Sequence, residues 1–111
     1  MRVTSSLWVG AYVRRCFVEG AFAAVTRRGA EEAGAIFVVI DRLGGTADLY
    51  VPAPQASFSE SRPSERLFQC VVTDGPLAEV NARIEREVRF DPDLWVVAVE
   101  DRDGRAFLET I

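Results

Sequence analysis

Residues 35–51, AIFVVIDRLGGTADLYV, decide the fold of this chain. They begin with an unbroken apolar run at residues 36–40, which is typical of a strand with both faces buried. Gly44-Gly45 predicts a tight hairpin turn, because glycine takes positive φ at both central positions without steric cost. The return strand, residues 46–51, alternates between two faces, with Ala47, Leu49 and Val51 on one and Asp48 and Tyr50 on the other.

The residues before this hairpin predict a helix and another strand. Apolar residues recur at helical spacing through residues 5–19, and Thr4, Ser5 or Ser6 can cap the start. Gly20 is placed to end the helix in the left-handed conformation. Residues 21–28 then predict a strand, which is followed by a connection at residues 29–34.

The residues after the hairpin predict a loop, two further strands and a second helix. Residues 52–64 hold three of the five prolines and four serines, which favours a flexible loop. Residues 66–73 and 94–99 predict strands. Between them a helix is expected to start at Asp74-Gly75-Pro76 and to end before Phe90-Asp91-Pro92, since the residue preceding proline disfavours helix. Asp103-Gly104 predicts a hairpin into a last strand at residues 106–108.

This order of elements predicts an α+β fold. Strands joined by tight turns imply a mostly antiparallel sheet of about five to six strands, and two helices covering one face would make a two-layer sandwich. The length of 111 residues fits a single domain spanning residues 1–111.

The charged residues exclude several kinds of chemistry. The chain has 13 basic residues, all of them arginine, and no histidine. It therefore has no imidazole base or metal ligand, and no lysine for a Schiff base or for phosphate binding. The net charge of −4 argues against nucleic acid and membrane surfaces as partners. No catalytic residue, metal site or cofactor is predicted.

The two cysteines, Cys16 and Cys70, lie in apolar runs and are expected to be buried free thiols. Free thiols favour a reducing cytoplasm. A signal peptide is not expected. Arg14 and Arg15 lie between the early apolar run and the candidate cleavage site at residues 21–23, where a signal peptide stays uncharged.

Five arginines are the candidate site. Arginine forks bind carboxylate or phosphate oxygens in a bidentate manner, so converging arginines would make an anion or acidic-partner site. The simpler alternative is that they form surface ion pairs with Glu19, Glu31, Glu32 and Asp41. The candidates are Arg14, Arg15, Arg27, Arg28 and Arg42.

The remaining motifs favour structural roles. Asp91 and Asp93 flank a proline and are expected to shape a turn. Gly29 and Gly34 have the spacing of a phosphate loop but lack the Lys-Ser/Thr that must follow. Most of the aromatic residues are expected in the core rather than on a stacking platform for nucleic acid.

Several short motifs together resemble a known family. These motifs are Trp8, Arg14-Arg15-Cys16, Gly20, Arg27-Arg28-Gly29, Ala33-Gly34, Gly45-Thr46-Ala47, Arg66-Leu67-Phe68 and Phe90-Asp91-Pro92-Asp93-Leu94-Trp95. With them the chain resembles a bacterial, proteobacterial family of uncharacterised proteins, domain of unknown function 1491, over about residues 3–108. The resemblance implies a bacterial cytoplasmic setting and carries over no functional residue.

These observations favour a small non-enzymatic cytoplasmic binding domain that engages an acidic protein partner or a small anion through arginine. A homodimer through a sheet edge or a helix face is one form of such an interaction. The alternative is a small enzyme that uses carboxylate, tyrosine or cysteine chemistry without histidine or lysine.

Overall fold

A computed structural model describes residues 3–54 and 66–111 of the chain. Its first helix, α1, spans Ser5–Val18. The Thr4 hydroxyl accepts a hydrogen bond from the Leu7 amide at 3.2 Å, and Gly20 has a φ of 89° after the last turn. The predicted helix and both of its end signals are therefore confirmed.

The described residues form one five-stranded sheet in the order β1-β5-β2-β3-β4. Three neighbouring pairs are antiparallel and one pair, β2 with β5, is parallel. The strands are β1 (Phe22–Arg27), β2 (Ile36–Asp41), β3 (Thr46–Pro52), β4 (Phe68–Pro76) and β5 (Trp95–Glu100). The second helix, α2, spans Leu77–Phe90 and connects β4 to β5. This confirms the α+β class and the mostly antiparallel sheet with two helices.

The two helices lie on opposite faces of the sheet, which corrects the expected arrangement on one face. Trp95, Val97 and Val99 of β5 belong to the core cluster that α1 covers, whereas Val96 belongs to the cluster that α2 covers. Neighbouring residues of a strand point to opposite faces, so the sheet separates the two clusters. The predicted burial of residues 36–40 on both faces is confirmed.

The β2–β3 turn differs in detail from the prediction. Leu43 (φ 64°) and Gly45 (φ 91°) take positive φ, and Gly44 does not. The Asp41 carboxylate accepts the Leu43 amide hydrogen bond at 2.8 Å, which holds this non-glycine residue in the turn.

The start of α2 also differs from the prediction. Asp74, Gly75 and Pro76 continue β4, and Pro76 is the N-cap in an extended conformation. The Asp74 amide donates to the buried Asp48 carboxylate at 2.6 Å, and that contact keeps the segment on the sheet.

The chain after β5 does not form the strand predicted at residues 106–108. Ala106, Phe107 and Leu108 instead pack against the α1-face core, and the Ala106 carbonyl accepts from the Tyr12 hydroxyl at 2.6 Å. The last residues run beside the start of β4, where the Phe68 amide donates to the Glu109 carbonyl at 2.9 Å. This C-terminal segment adds a second cover to the α1 face.

The predicted loop and the single-domain prediction are not tested by the described residues. The predicted loop at residues 52–64 lies mostly outside the described residues, and Pro52 within it ends β3. The single-domain assignment stays a prediction. Neither helix found in residues 3–54 and 66–111 has the length and apolarity needed to cross a membrane.

Candidate functional site

The five candidate arginines do not form one cluster. Arg27 ends β1 and Arg28 follows it, so these two lie together. Arg42 follows β2, and the strand directions place it at the opposite end of the sheet from Arg27. Arg14 and Arg15 are exposed on α1. Although Arg27 and Arg28 are adjacent, their side chains do not converge. Arg27 lies with residues of the α2 face, whereas the Arg28 guanidinium lies 5.2 Å from the ring centroid of Trp95 on the α1 face.

Arg42 is engaged within the fold. Its Nη2 and Nε donate to the two carboxylate oxygens of Asp48 at 2.8 and 3.1 Å. Asp48 is only 1% exposed, so this bidentate contact compensates a buried charge and raises the pKa of Arg42. Asp41, one of the four acidic residues expected to pair with the candidate arginines, instead uses its carboxylate in the turn at Leu43.

A second ion pair, between Asp101 and Arg105, was missed from the sequence. Arg105 Nη2 donates to Asp101 Oδ1, and the Arg105 amide donates to Oδ2, both at 2.7 Å. Hydrogen bonding from the Arg105 side chain lowers the pKa of Asp101. Arg105 Nη1 also donates to the Glu19 carbonyl at 3.3 Å, so the pair ties the C-terminal segment to the end of α1. The i,i+4 spacing of Asp101 and Arg105 was the available signal.

The two thiols have different environments. Cys16 lies on the inner side of α1 and is fully buried, as predicted. Burial raises the pKa of its thiol. Cys70 is exposed, contrary to the prediction. Cys70 lies on β4, which is an edge strand and pairs with another strand, β3, on one side only. This position leaves its side chain less enclosed than that of a central strand.

Gly29 and Gly34 serve close packing. A Cβ at either position would collide with the Asp93 carbonyl and with the Trp95 ring. Trp95 is completely buried, and its indole N–H donates to the Ala30 carbonyl at 2.7 Å. The two glycines therefore let the connection between β1 and β2 lie directly against this tryptophan.

Asp91 and Asp93 form the predicted turn, since the Asp93 amide donates to the Asp91 carboxylate at 3.1 Å. Across the described parts of the chain, no three cysteine, aspartate or glutamate side chains come together as a metal site would require.

The α2 face carries a solvent-accessible groove, which we call the α2-face groove. Because α2 packs mainly over β3 and β4, the neighbouring part of the sheet is left uncovered on this side. The groove has a volume of about 610 Å³, within the usual range of ligand pockets. The lining combines six apolar residues, which are Val39, Leu77, Ile84, Val88, Val96 and Ala98, with five polar or charged ones, which are Thr26, Arg27, Asp41, Asn81 and Glu85.

Arg27 lines one end of the α2-face groove. Its Nη2 donates to the Pro92 carbonyl at 2.9 Å, which holds the side chain in place. Its Nε is buried and finds no hydrogen-bond acceptor among the described residues. A buried guanidinium nitrogen without an acceptor is costly. Because this Nε is closed to solvent, a carboxylate in the groove would meet the outer part of the half-buried guanidinium.

A second cleft, of about 500 Å³, lies on the α1 face beside the stacked rings of Trp8 and Tyr12. Arg15 and Arg66 both line it. Arg66 is engaged within the fold at more points than Arg27, since its Nη2 donates to the Val3 carbonyl at 2.9 Å and also to the Ser5 hydroxyl at 3.4 Å. The α2-face groove is therefore the stronger candidate, and its apolar lining could not be found from the sequence because it depends on where α2 docks.

Together these features define a small α+β fold with helices on both faces of an open sheet. The chain belongs to the DUF1491 family, described as a protein of unknown function, whose model matches residues 3–109.

Solved structures support the same membership. A DUF1491 protein from Caulobacter crescentus, solved by crystallography, is 39% identical with a TM-score of 0.80, and the match covers 100% of this chain and 99% of that one. The solution structure of Atu0922 from A. tumefaciens is 43% identical with a TM-score of 0.84, covering 100% and 96%. Among curated proteins there is no match.

Proposed function

We propose that this chain is a non-enzymatic protein-interaction domain whose α2-face groove binds an apolar segment of a partner protein that carries a carboxylate. The observation that supports this most directly is Arg27, whose half-buried guanidinium lines a largely apolar groove and whose Nε finds no acceptor in residues 3–54 and 66–111. The partner is acidic at that point because only a negatively charged or strongly accepting group suits a guanidinium.

The groove lining supports a protein segment over a small anion. Val39, Val96 and Ala98 offer apolar floor to side chains, whereas a free inorganic anion would gain nothing from them. Apolar contact supplies the affinity in this arrangement, and the Arg27 contact supplies orientation.

We place the domain in the cytoplasm. Cys16 and Cys70 are both free thiols, and one of them is exposed, which suits a reducing compartment.

Selection from a library of random peptides tests the proposed function. We expect the selected peptides to combine apolar residues with an acidic one. Their affinity should fall about tenfold or more for Arg27→Gln, because a charged hydrogen bond is lost. Ala98→Leu, which fills the floor of the groove, should weaken the same peptides.

Arg14→Gln is the matched control, since Arg14 is an exposed arginine on α1 and lies away from the groove. Its peptide affinity should equal that of the wild type. If no peptides are selected, or if the selected ones lack acidic residues or bind Arg27→Gln as tightly as wild type, the proposed function is wrong.

A further inference from the structure

The two edges of the sheet are protected to different degrees. At β4, the Phe68 amide donates to the Glu109 carbonyl and the Phe68 carbonyl accepts from the Ile111 amide, so the C-terminal segment covers part of that edge. At β1, the only strand partner among the described residues is β5. The outward N–H and C=O groups of β1 are therefore open to another strand.

β1 also lacks the residues that usually keep an edge strand from pairing. From Ala21 to Thr26 there is no charge and no proline. A bulge between Val25 and Arg27 is the one irregularity, and it leaves Phe22 to Val25 in regular register with β5.

An exposed apolar cluster surrounds the start of this edge. Phe17 and Phe22 are each 52% exposed, and their rings meet edge to face with centroids 5.7 Å apart. Val18, next to Phe17 in the chain, is 84% exposed, and Val25, farther along β1 and on the other face of the strand from Phe22, is 41% exposed. An exposed aromatic pair of this kind on a surface marks a contact with another protein.

The charges at the ends of β1 identify that protein as a second copy of this chain. Exposed Glu19 and Glu100 lie by the start of the strand, since Glu100 is in register with Phe22. Exposed Arg28 lies at its other end, directly after the last residue of the strand. When a strand pairs antiparallel with its own copy, each end meets the opposite end of the partner. The basic end of one copy then meets the acidic end of the other, twice per dimer.

We propose that two copies of this chain associate through antiparallel pairing of β1 with β1 about a two-fold axis near Ala24. The axis is perpendicular to the sheet, because only that symmetry relates two antiparallel strands of one sheet. Both α2 helices then lie on the same side, and the two α2-face grooves adjoin across the central strands. This inference does not depend on what binds in the groove.

Sedimentation of the full chain over about 10 µM to about 1 mM tests the proposal. We expect a reversible monomer–dimer equilibrium with a Kd in the micromolar range. Val25→Asp should weaken it about tenfold or more, because a carboxylate would be buried at the paired edge. Leu43→Asp is the matched control, since Leu43 is 43% exposed but lies in the β2–β3 turn, and it should leave the dimer unchanged.

A charge swap makes the test specific for the symmetric pairing. Glu19→Arg and Arg28→Glu should each weaken the dimer about five- to tenfold, because like charges then meet at two symmetric places. The double variant should return to within about twofold of wild type.

A wild type that stays monomeric at about 1 mM, or a dimer insensitive to Val25→Asp and to the charge reversals, overturns the proposal. Amide spectra of every variant establish that it is folded. Peptide affinity measured on the same samples separates the two proposals, since a monomer that keeps Arg27-dependent peptide binding overturns only the dimer.

Discussion

The two faces of the sheet are covered to different extents. On the α1 face, a helix and the C-terminal segment both pack on the core, with Tyr12 of the helix hydrogen-bonded to Ala106 of the segment. On the α2 face, a helix of equal length covers mainly β3 and β4, and the groove remains over the rest. The closed face should therefore supply most of the stability, and the open face is the one available for binding.

The largest effect should come from the centre of the closed face. Trp95→Ala removes a fully buried ring and its hydrogen bond to the Ala30 carbonyl, so we expect unfolding free energy to fall by about 3–5 kcal/mol. Urea denaturation measures this. Phe90→Ala is the control, because Phe90 is 87% exposed and should change stability by no more than about 0.5 kcal/mol.

Adjacent valines of β5 compare the two faces directly. Val97→Ala should cost about 2–3 kcal/mol, because Val97 is enclosed on the α1 face and its loss leaves a cavity. Val96→Ala should cost about 1 kcal/mol less, since Val96 lines the open groove and solvent can enter the space. Equal losses in urea denaturation would mean that the α2 face is as closed as the other.

The smallest effect should come from the ion pair that holds the cover of the closed face in place. Asp101→Asn should lower stability by about 1–2 kcal/mol at neutral pH through loss of charged hydrogen bonds from Arg105. The folded-state pKa of Asp101 lies below its unfolded value. The stabilisation is therefore complete above the unfolded pKa of about 3.9 and is lost as pH falls through the folded value.

Urea denaturation between about pH 7 and about pH 2 checks this sign. The difference between wild type and Asp101→Asn should be constant above about pH 5 and should shrink in acid. A difference that grows on acidification would show that the carboxylate is not what holds the segment.

Local patterns in the sequence predicted most elements and few of their contacts. The helical spacing before Gly20 and the apolar run at residues 36–40 both identified real elements. The errors, at Asp74 and at residues 106–108, occur where a distant group decides the conformation. Asp48 holds the Asp74 amide on the sheet, and Tyr12 draws Ala106 away from a strand.

The candidate site was predicted in part. Arg27 was among the arginines chosen for their carboxylate-binding chemistry. The sequence did not show that Arg42, chosen for the same reason, is already hydrogen-bonded to the Asp48 carboxylate within the fold. The groove beside Arg27 depends on which strands α2 covers, and no local pattern specifies that.

The sequence by itself determined the α+β class, the order of elements and the absence of lysine and histidine chemistry. Its five-residue apolar run at residues 36–40 also predicted a strand buried on both faces, although both helices were expected on one face. Within residues 3–54 and 66–111, the tertiary structure alone decided which helix covers which face, that the Arg27 Nε has no acceptor and which sheet edge stays open. The physical reason is that periodicity reports which side of an element is apolar, whereas the partner of that side is chosen by packing between residues far apart in the chain.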